Sequence, residues 1–188
     1  MPVRLFIAVD MPEQVTRELA KLQDPNLAVN WSSPDTMHLT LRFVGDVQET
    51  SGQEQLIQEL TAIDMPPMSL TVNGLGYFPP NRQPKVIWAG IMDHPDLMRL
   101  QEQVEQACRS AGLEPDNREY IPHVTLGRVN GLSKKEVHSF FNRSKKVRIE
   151  DIPVREFILY ESRLHPDGAE HLPYRRFGLT GQRKENEA

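Results

Sequence analysis

The sequence predicts an α+β fold in which mainly antiparallel strands form two pseudo-symmetric lobes with the helices packed outside. Apolar patterning along the chain gives the order strand–helix–strand–helix–strand–strand–helix–strand–helix–strand–strand, which lacks the strict alternation of a doubly wound parallel sheet. A short phrase, histidine–aliphatic–threonine–leucine, occurs twice, at 38–41 and 123–126. Two copies so far apart in the chain indicate a pair of related lobes rather than a solenoid.

The amino-acid composition limits the kinds of protein that this chain can be. The 188 residues are 38% hydrophobic and 26% charged, which is typical of a globular domain. The formal net charge of −4 argues against a protein that binds along a long stretch of nucleic acid, although a few local cations could still bind one phosphate. The opening apolar run is too short for a signal peptide core, and no later run approaches a membrane span, so we expect a cytoplasmic protein. The single cysteine, Cys108, cannot form an internal disulfide and fits a buried structural thiol.

Each predicted element follows from local pattern. Apolar residues at helical spacing predict four helices, the last opened by a capping box of Ser133 and Glu136: 12–23, 51–63, 95–112 and 133–144. β-branched and aromatic runs bounded by turn residues predict the strands: 4–10, 37–45, 68–78, 85–91, 120–129, 152–164 and 172–180. The last two strands are predicted to pair through a loop at 165–171. We expect one bilobal domain over residues 1–181 and a frayed tail over 182–188.

The repeated phrase places a histidine and a threonine on one face of each predicted strand. His38 and Thr40 alternate with leucines that face the core, and His123 and Thr125 repeat the pattern. If the two strands meet at one cleft, two imidazoles reach one substrate from opposite sides. In-line displacement at phosphorus needs a proton removed from the attacking oxygen and one supplied to the leaving oxygen. Histidine can do either near neutral pH, and the pattern alone does not say which residue is the base.

Two other interpretations of these residues are open. A single His-x-Thr in a strand is most often a packed or surface histidine, and only the repetition favours chemistry. A two-histidine metal site lacks a third ligand at suitable spacing and has no His-Glu-x-x-His helix. We therefore expect no metal and no cofactor. The four remaining histidines, at 94, 138, 165 and 171, look ordinary.

At the two motifs the sequence resembles the 2H phosphoesterase superfamily, and most closely its RNA 2′,3′-cyclic phosphodiesterase, or 2′-5′ RNA ligase, family. The resembling segments are RLFIAVDMP, HLTLRFVGDV, NGLGYFPPNRQPKVIWAGI, REYIPHVTLGR and FILYESRLHPDGAEHLPYRRFGL, which together span nearly the whole chain. Tyr120 stands where phenylalanine is common in the family. The residues after Gly181 match nothing.

The resemblance implies a bilobal α+β fold with a central cleft, and metal-independent hydrolysis of RNA 2′,3′-cyclic phosphate ends to 2′-phosphates. By motif order it implies His38 as proton donor and His123 as proton acceptor. It also implies that 2′-5′ RNA ligation is possible, with a ribose 5′-hydroxyl in place of water. A nucleotide- or RNA-binding module without turnover is the alternative from another class. We expect RNA with cyclic phosphate ends as the partner, no membrane partner, and a monomer.

Further residues are candidates for holding the substrate. Thr40 and Thr125 suit the phosphate oxygens, and simple alternation puts Arg42 on the same face as His38. Alternation puts Arg128 on the face opposite His123, so its phosphate role requires a bend near Gly127. Candidates for rim or base contacts are Arg118 and Tyr120, and further candidates for stacking on a base are Trp31, Tyr77 and Phe78. The basic segment 133–148 could attract RNA beside the cleft, or it could be a solvated helix face.

Overall fold

The computed structural model describes residues 3–47, 51–80, 82–144, 146–165 and 168–181. Its strands are β1 (Val3–Asp10), β2 (Val29–Trp31), β3 (His38–Val47), β4 (Met68–Phe78), β5 (Val86–Ile91), β6 (His123–Val129), β7 (Arg148–Val154), β8 (Glu156–His165) and β9 (Gly168–Gly178). Its helices are α1 (Glu13–Ala20), α2 (Ser51–Thr61), α3 (Pro95–Ser110) and α4 (Lys134–Arg143), with a single 3₁₀ turn at Pro34–Thr36. The predicted tail, 182–188, lies outside the described residues.

All strands of the described residues belong to one antiparallel sheet, in the order β7-β4-β5-β6-β3-β1-β8-β9, with β2 paired to β6. The first four strands of that order form one lobe and the last four form the other. The lobes meet where β3 pairs with β6 at Leu39 and Val124. The predicted α+β class, with antiparallel strands and two lobes, is therefore confirmed, and the lobes are halves of one continuous sheet.

One face of this sheet is covered by helices. Leu39 and Leu41 of β3 and Val124 and Leu126 of β6 join a large buried cluster that includes apolar residues of all four helices. The opposite face carries a much smaller cluster of Phe6, Ala8, Ile158 and Tyr160. We call this second side, which carries His38 and His123, the open face. Cys108 is fully buried in the helix-side core, and burial raises the pKa of its thiol to about 12, as expected of a structural cysteine.

Two predicted elements were wrong. The segment predicted as a single strand over 152–164 is divided at Arg155. Its first part is in β7, which pairs with β4, whereas its second part is in β8, which pairs with β1 and β9 in the other lobe. An apolar pattern reports burial but not the sheet partner, so nothing in the sequence marked this passage between lobes. The predicted pairing of the last two strands is confirmed by β8 and β9, but the predicted loop at 165–171 was too long, because His165 belongs to β8 and residues 168–171 belong to β9.

Within the described residues, no helix is both long enough and apolar enough to cross a lipid bilayer.

Candidate active site

The two copies of the phrase lie side by side at the junction of the lobes. Leu39 is paired with Val124 on the antiparallel strands β3 and β6. Continuing this register by one residue in each direction sets His38 across from Thr125 and Thr40 across from His123. The four side chains thus occupy the corners of a square on the open face, with the histidines on one diagonal. Diagonal neighbours of this kind lie about 7–8 Å apart, which leaves room for one phosphate group between two imidazoles.

Both imidazoles are oriented by the backbone two residues upstream. His123 Nδ1 lies 2.6 Å from the carbonyl oxygen of Ile121. Because a carbonyl can only accept, Nδ1 carries the proton and Nε2 keeps its lone pair free. A backbone hydrogen bond with Thr36 acts on His38 in the same way. In both copies of the phrase, the backbone two residues before the histidine therefore fixes the orientation of its ring.

Aromatic rings flank each histidine. Phe6 lies 4.9 Å from His38 between ring centroids, and Tyr160 stacks on Phe6 at 5.1 Å. On the other lobe, Phe78 meets His123 edge-on at 4.9 Å, and Trp88 lies 5.8 Å away. These rings remove water from one side of each imidazole. The result is a pair of partly desolvated histidines on a shared surface.

Desolvation sets the protonation of both groups. Burial, then the neighbouring charges of His171 and His123, lower the pKa of His38 to about 4, against the opposing effect of Thr36. Burial also lowers the pKa of His123, partly offset by the hydrogen bond to Ile121. Both imidazoles are therefore neutral at pH 7 in the substrate-free protein. Each suits a general base in that state, and an acid role requires a bound anion that favours the charged form.

A β-bulge follows each motif and changes which side chains reach the open face. Ile7 is paired with Arg42 and Ala8 with Thr40, so Leu41 is an extra residue on β3. Ile87 is paired with Gly127 and Trp88 with Thr125, so Leu126 is an extra residue at the equivalent place on β6. An extra residue inverts the alternation of the strand beyond it.

The bulge in β3 corrects the prediction for Arg42. Opposite Ile7, its side chain lies on the helix side of the sheet and is 9% exposed. Its Nε lies 2.6 Å from Glu105, and its guanidinium donates to the carbonyl oxygens of Phe43 and Glu114. Arg42 is thus a buried structural cation that joins β3 to α3, and it does not share a face with His38.

The bulge in β6 has the opposite consequence for Arg128. Paired with Val86, which shares the face of Trp88, Arg128 is exposed on the open face. The bend that its predicted phosphate role required near Gly127 is therefore present. Phe43 occupies the equivalent position on β3, opposite Phe6, and is 57% exposed. Simple alternation places Phe43 on the core face of β3, so Phe43 was not among the predicted site residues.

The rim candidates lie in less direct positions. Arg118 is 73% exposed and is held by a two-point contact with Asp116. Tyr120 is half-buried, and its hydroxyl donates to the carbonyl oxygen of Thr40 at 3.2 Å, so it braces the first motif. Of the stacking candidates, Phe78 alone contacts a motif histidine. Trp31 packs on Phe140, and Tyr77 packs near His138 and Phe141 of α4, both on the helix side.

The helix of the basic segment, α4, packs on the helix side of the sheet, opposite the open face that carries the two histidines. α4 buries Val137 and Phe140 in the helix-side core, and its predicted capping box of Ser133 and Glu136 is present. The position of α4 favours a solvated helix face over a track for RNA beside the motifs.

Two residues near His38 were missed. His171, which the sequence placed in a loop, lies in β9 with its ring 5.1 Å from that of His38. Tyr160 donates a hydrogen bond to Asp10 at the end of β1. Both line a cavity of about 290 Å³ beside His38. Alternation of side chains along β8 and β9 would have predicted that Tyr160 and His171 lie on the face of His38. That prediction requires knowing where the hairpin turns.

Among the described residues, no three or more His, Cys, Asp or Glu side chains are grouped so that they could hold a metal ion.

Comparison with known proteins gives a consistent result. Residues 11–162 match the family model described as the 2′-5′ RNA ligase superfamily. A protein of Methanocaldococcus jannaschii named RNA 2′,3′-cyclic phosphodiesterase is 29% identical over 169 residues, covering 88% of this chain and 95% of the relative. A Thermotoga maritima protein of the same name is 32% identical over 178 residues, covering 88% and 90%. Among solved structures, E. coli LigT complexed with 3′-AMP superposes with a TM-score of 0.76 at 25% identity, covering 96% and 99% of the two chains.

Proposed function

The chain belongs to the 2′-5′ RNA ligase superfamily, and from this premise we propose that it hydrolyses 2′,3′-cyclic phosphodiester ends of RNA to 2′-phosphomonoesters. In this proposal, His38 and His123 carry out acid–base catalysis without a metal ion. The observation that carries the proposal is the square of two histidines and two threonines created by the β3–β6 register. The curated relatives named RNA 2′,3′-cyclic phosphodiesterase support the choice of substrate.

The reaction follows from the proposed roles. His123 Nε2 takes a proton from water, whose oxygen attacks the phosphorus. The bond from phosphorus to the ribose O3′ breaks, and His38 gives its proton to O3′, which leaves the phosphate on O2′. The assignment of donor and acceptor rests on the family resemblance, since both rings are oriented by the same kind of backbone contact. With a ribose 5′-hydroxyl in place of water, the same steps would form a 2′-5′ linkage.

The other open-face residues fit the needs of this reaction. Thr40 and Thr125 offer hydroxyls to the non-bridging oxygens, and Arg128 offers a cation beside them. The exposed ring of Phe43 offers a surface on which a base could stack. Binding of the anionic cyclic phosphate favours the charged form of His38, which makes it able to donate a proton.

The decisive experiment uses an RNA oligomer that ends in a 2′,3′-cyclic phosphate, with an acceptor RNA present and EDTA in parallel reactions. We expect the wild-type protein to give the 2′-phosphate, and His38→Ala and His123→Ala each to lower kcat/KM by roughly 10²–10⁴-fold. His138→Ala, on the helix side of the sheet, is the matched control and should retain full activity. Thr40→Val and Thr125→Val should cost less, about 0.5–3 kcal/mol in transition-state binding.

The other outcomes separate the alternatives. Joined RNA as the main product would identify a ligase, and unchanged substrate would indicate a binding module. Full activity in either histidine variant, with the fold verified by thermal melting, would overturn the two-histidine mechanism.

A further inference from the structure

A third histidine contacts the proposed proton donor. The ring of His171 meets that of His38 edge-on, with centroids 5.1 Å apart and planes at 75°. It also meets Phe6 edge-on at 4.9 Å, while Phe6 itself lies 4.9 Å from His38. The three rings therefore form one packed group.

The surroundings of His171 leave its charge without a counterion among the described residues. Its Nδ1 is buried and has no hydrogen-bond partner. Five further charged or titratable groups line the cavity that it shares with His38: Asp10 on β1, Glu13 on α1, Asp35 on the 3₁₀ turn, Tyr160 on β8 and Arg176 on β9. Asp10 accepts from Tyr160, and Arg176 is paired with Glu156, so neither is bonded to His171.

Two imidazoles at this separation compete for protonation. When one ring is protonated, its charge disfavours protonation of the other, and the low polarity around Phe6 weakens screening. A bound phosphate anion would relieve this conflict, because it places negative charge directly against the His38 ring, whereas none of the cavity carboxylates is among the charges that act on His38 or His171.

We propose that His171 is a positioning residue that holds the His38 ring against Phe6. Because the two rings compete for a proton, His171 also keeps His38 neutral until an anionic phosphate is bound. The lowering of the His38 pKa by the charge of His171 agrees with this role. So does the lowered pKa of His171 itself, which burial causes. The kinetic part of this inference rests on the proposed function, whereas the titration of His38 does not.

The test compares two substitutions at residue 171. His171→Phe keeps a ring in the same space but cannot carry charge, and His171→Ala removes both ring and charge. His165→Phe is the matched control, because His165 is an exposed histidine of the same hairpin that pairs with Glu170. His171→Gln serves as a second uncharged variant if the phenylalanine protein does not fold.

We expect the imidazole resonances of His38, followed by NMR in the substrate-free protein, to titrate at higher pH in His171→Phe, by on the order of half a unit to one unit. The pH profile of kcat/KM should move in the same direction. His171→Ala should also lower kcat at the optimum, because the His38 ring is no longer held. A His38 titration in His171→Phe that superimposes on wild type would overturn the inference. A protein without cyclic phosphodiesterase activity but with the shifted titration would overturn the proposed function alone.

Discussion

At the scale of single residues, the two arginines that follow the motifs lie on opposite faces of the sheet, although both were predicted to bind phosphate. Arg42 was predicted on the face of His38 and is buried against Glu105, whereas Arg128, whose predicted role required a bend near Gly127, is exposed on the open face. Both outcomes follow from one extra residue in each strand. The sequence around an arginine in a strand does not show whether its side chain lies on the open face or packs against α3. The bulge decides which of these two positions the side chain takes.

We predict that Arg42→Ala destabilises the fold by roughly 3 kcal/mol, because it removes the buried cation from Oε2 of Glu105 and leaves the carbonyl oxygens of Phe43 and Glu114 without their donor, although Arg109 still pairs with Oε1 of Glu105. Urea unfolding followed by circular dichroism measures this change. Arg118→Ala is the control: the guanidinium that it removes is largely exposed, so we expect a loss of about 1 kcal/mol or less. A stable but inactive Arg42→Ala protein would instead return Arg42 to the phosphate site.

At the scale of elements, sequence pattern predicted most of the helices and strands but not where strands change register. The apolar stripe of α3 and the capping box of α4 are strong local signals, and both elements formed as expected. The bulges at Leu41 and Leu126 carry no such signal, because each extra residue is a buried leucine at a position where regular alternation also predicts a buried residue. His171 was missed for a related reason: the polar and turn residues around 165–171 predicted a loop, although residues 168–171 are paired with β8.

The hairpin of β4 and β5 supports His123 through a close contact at Gly76. A Cβ atom at Gly76 would overlap the indole ring of Trp88, which lies beside His123. We predict that Gly76→Ala displaces this ring and lowers kcat/KM by on the order of tenfold, because a small misplacement of a catalytic group is costly.

The control for Gly76 is Gly178→Ala at the end of β9, where a new Cβ would meet only Thr180 at an ordinary 3.7 Å. Tryptophan fluorescence should change in the Gly76 variant and not in the control. Unchanged activity together with a displaced indole would show that Trp88 does not position His123.

At the scale of the whole molecule, the site exists because both lobes contribute a strand to one junction. The sequence predicted two related strands at a shared cleft, and the fold makes them direct neighbours. No pattern in the chain specifies that β3 and β6 pair, since their residues are far apart in sequence and the strands between them are ordered by long-range contacts. The pairing nonetheless has a large chemical consequence: it brings two desolvated imidazoles close enough for the charge on one to affect the other.

This mutual effect predicts the pH dependence of the reaction. One histidine must be neutral to take a proton and the other charged to give one, so kcat/KM should follow a bell between the two pKa values of the free protein. Because burial lowers the pKa of both His38 and His123, the optimum of kcat/KM should lie on the acid side of 6.5, the ordinary histidine value. In the complex, the phosphate anion raises the pKa of the histidine it meets, so the optimum of kcat should lie at higher pH than that of kcat/KM. Both profiles are measured with a dinucleotide 2′,3′-cyclic phosphate from pH 4.5 to 9, with and without EDTA. Chelator should change neither curve, whereas activity that falls in EDTA and returns with an added divalent ion would refute catalysis by the two histidines alone.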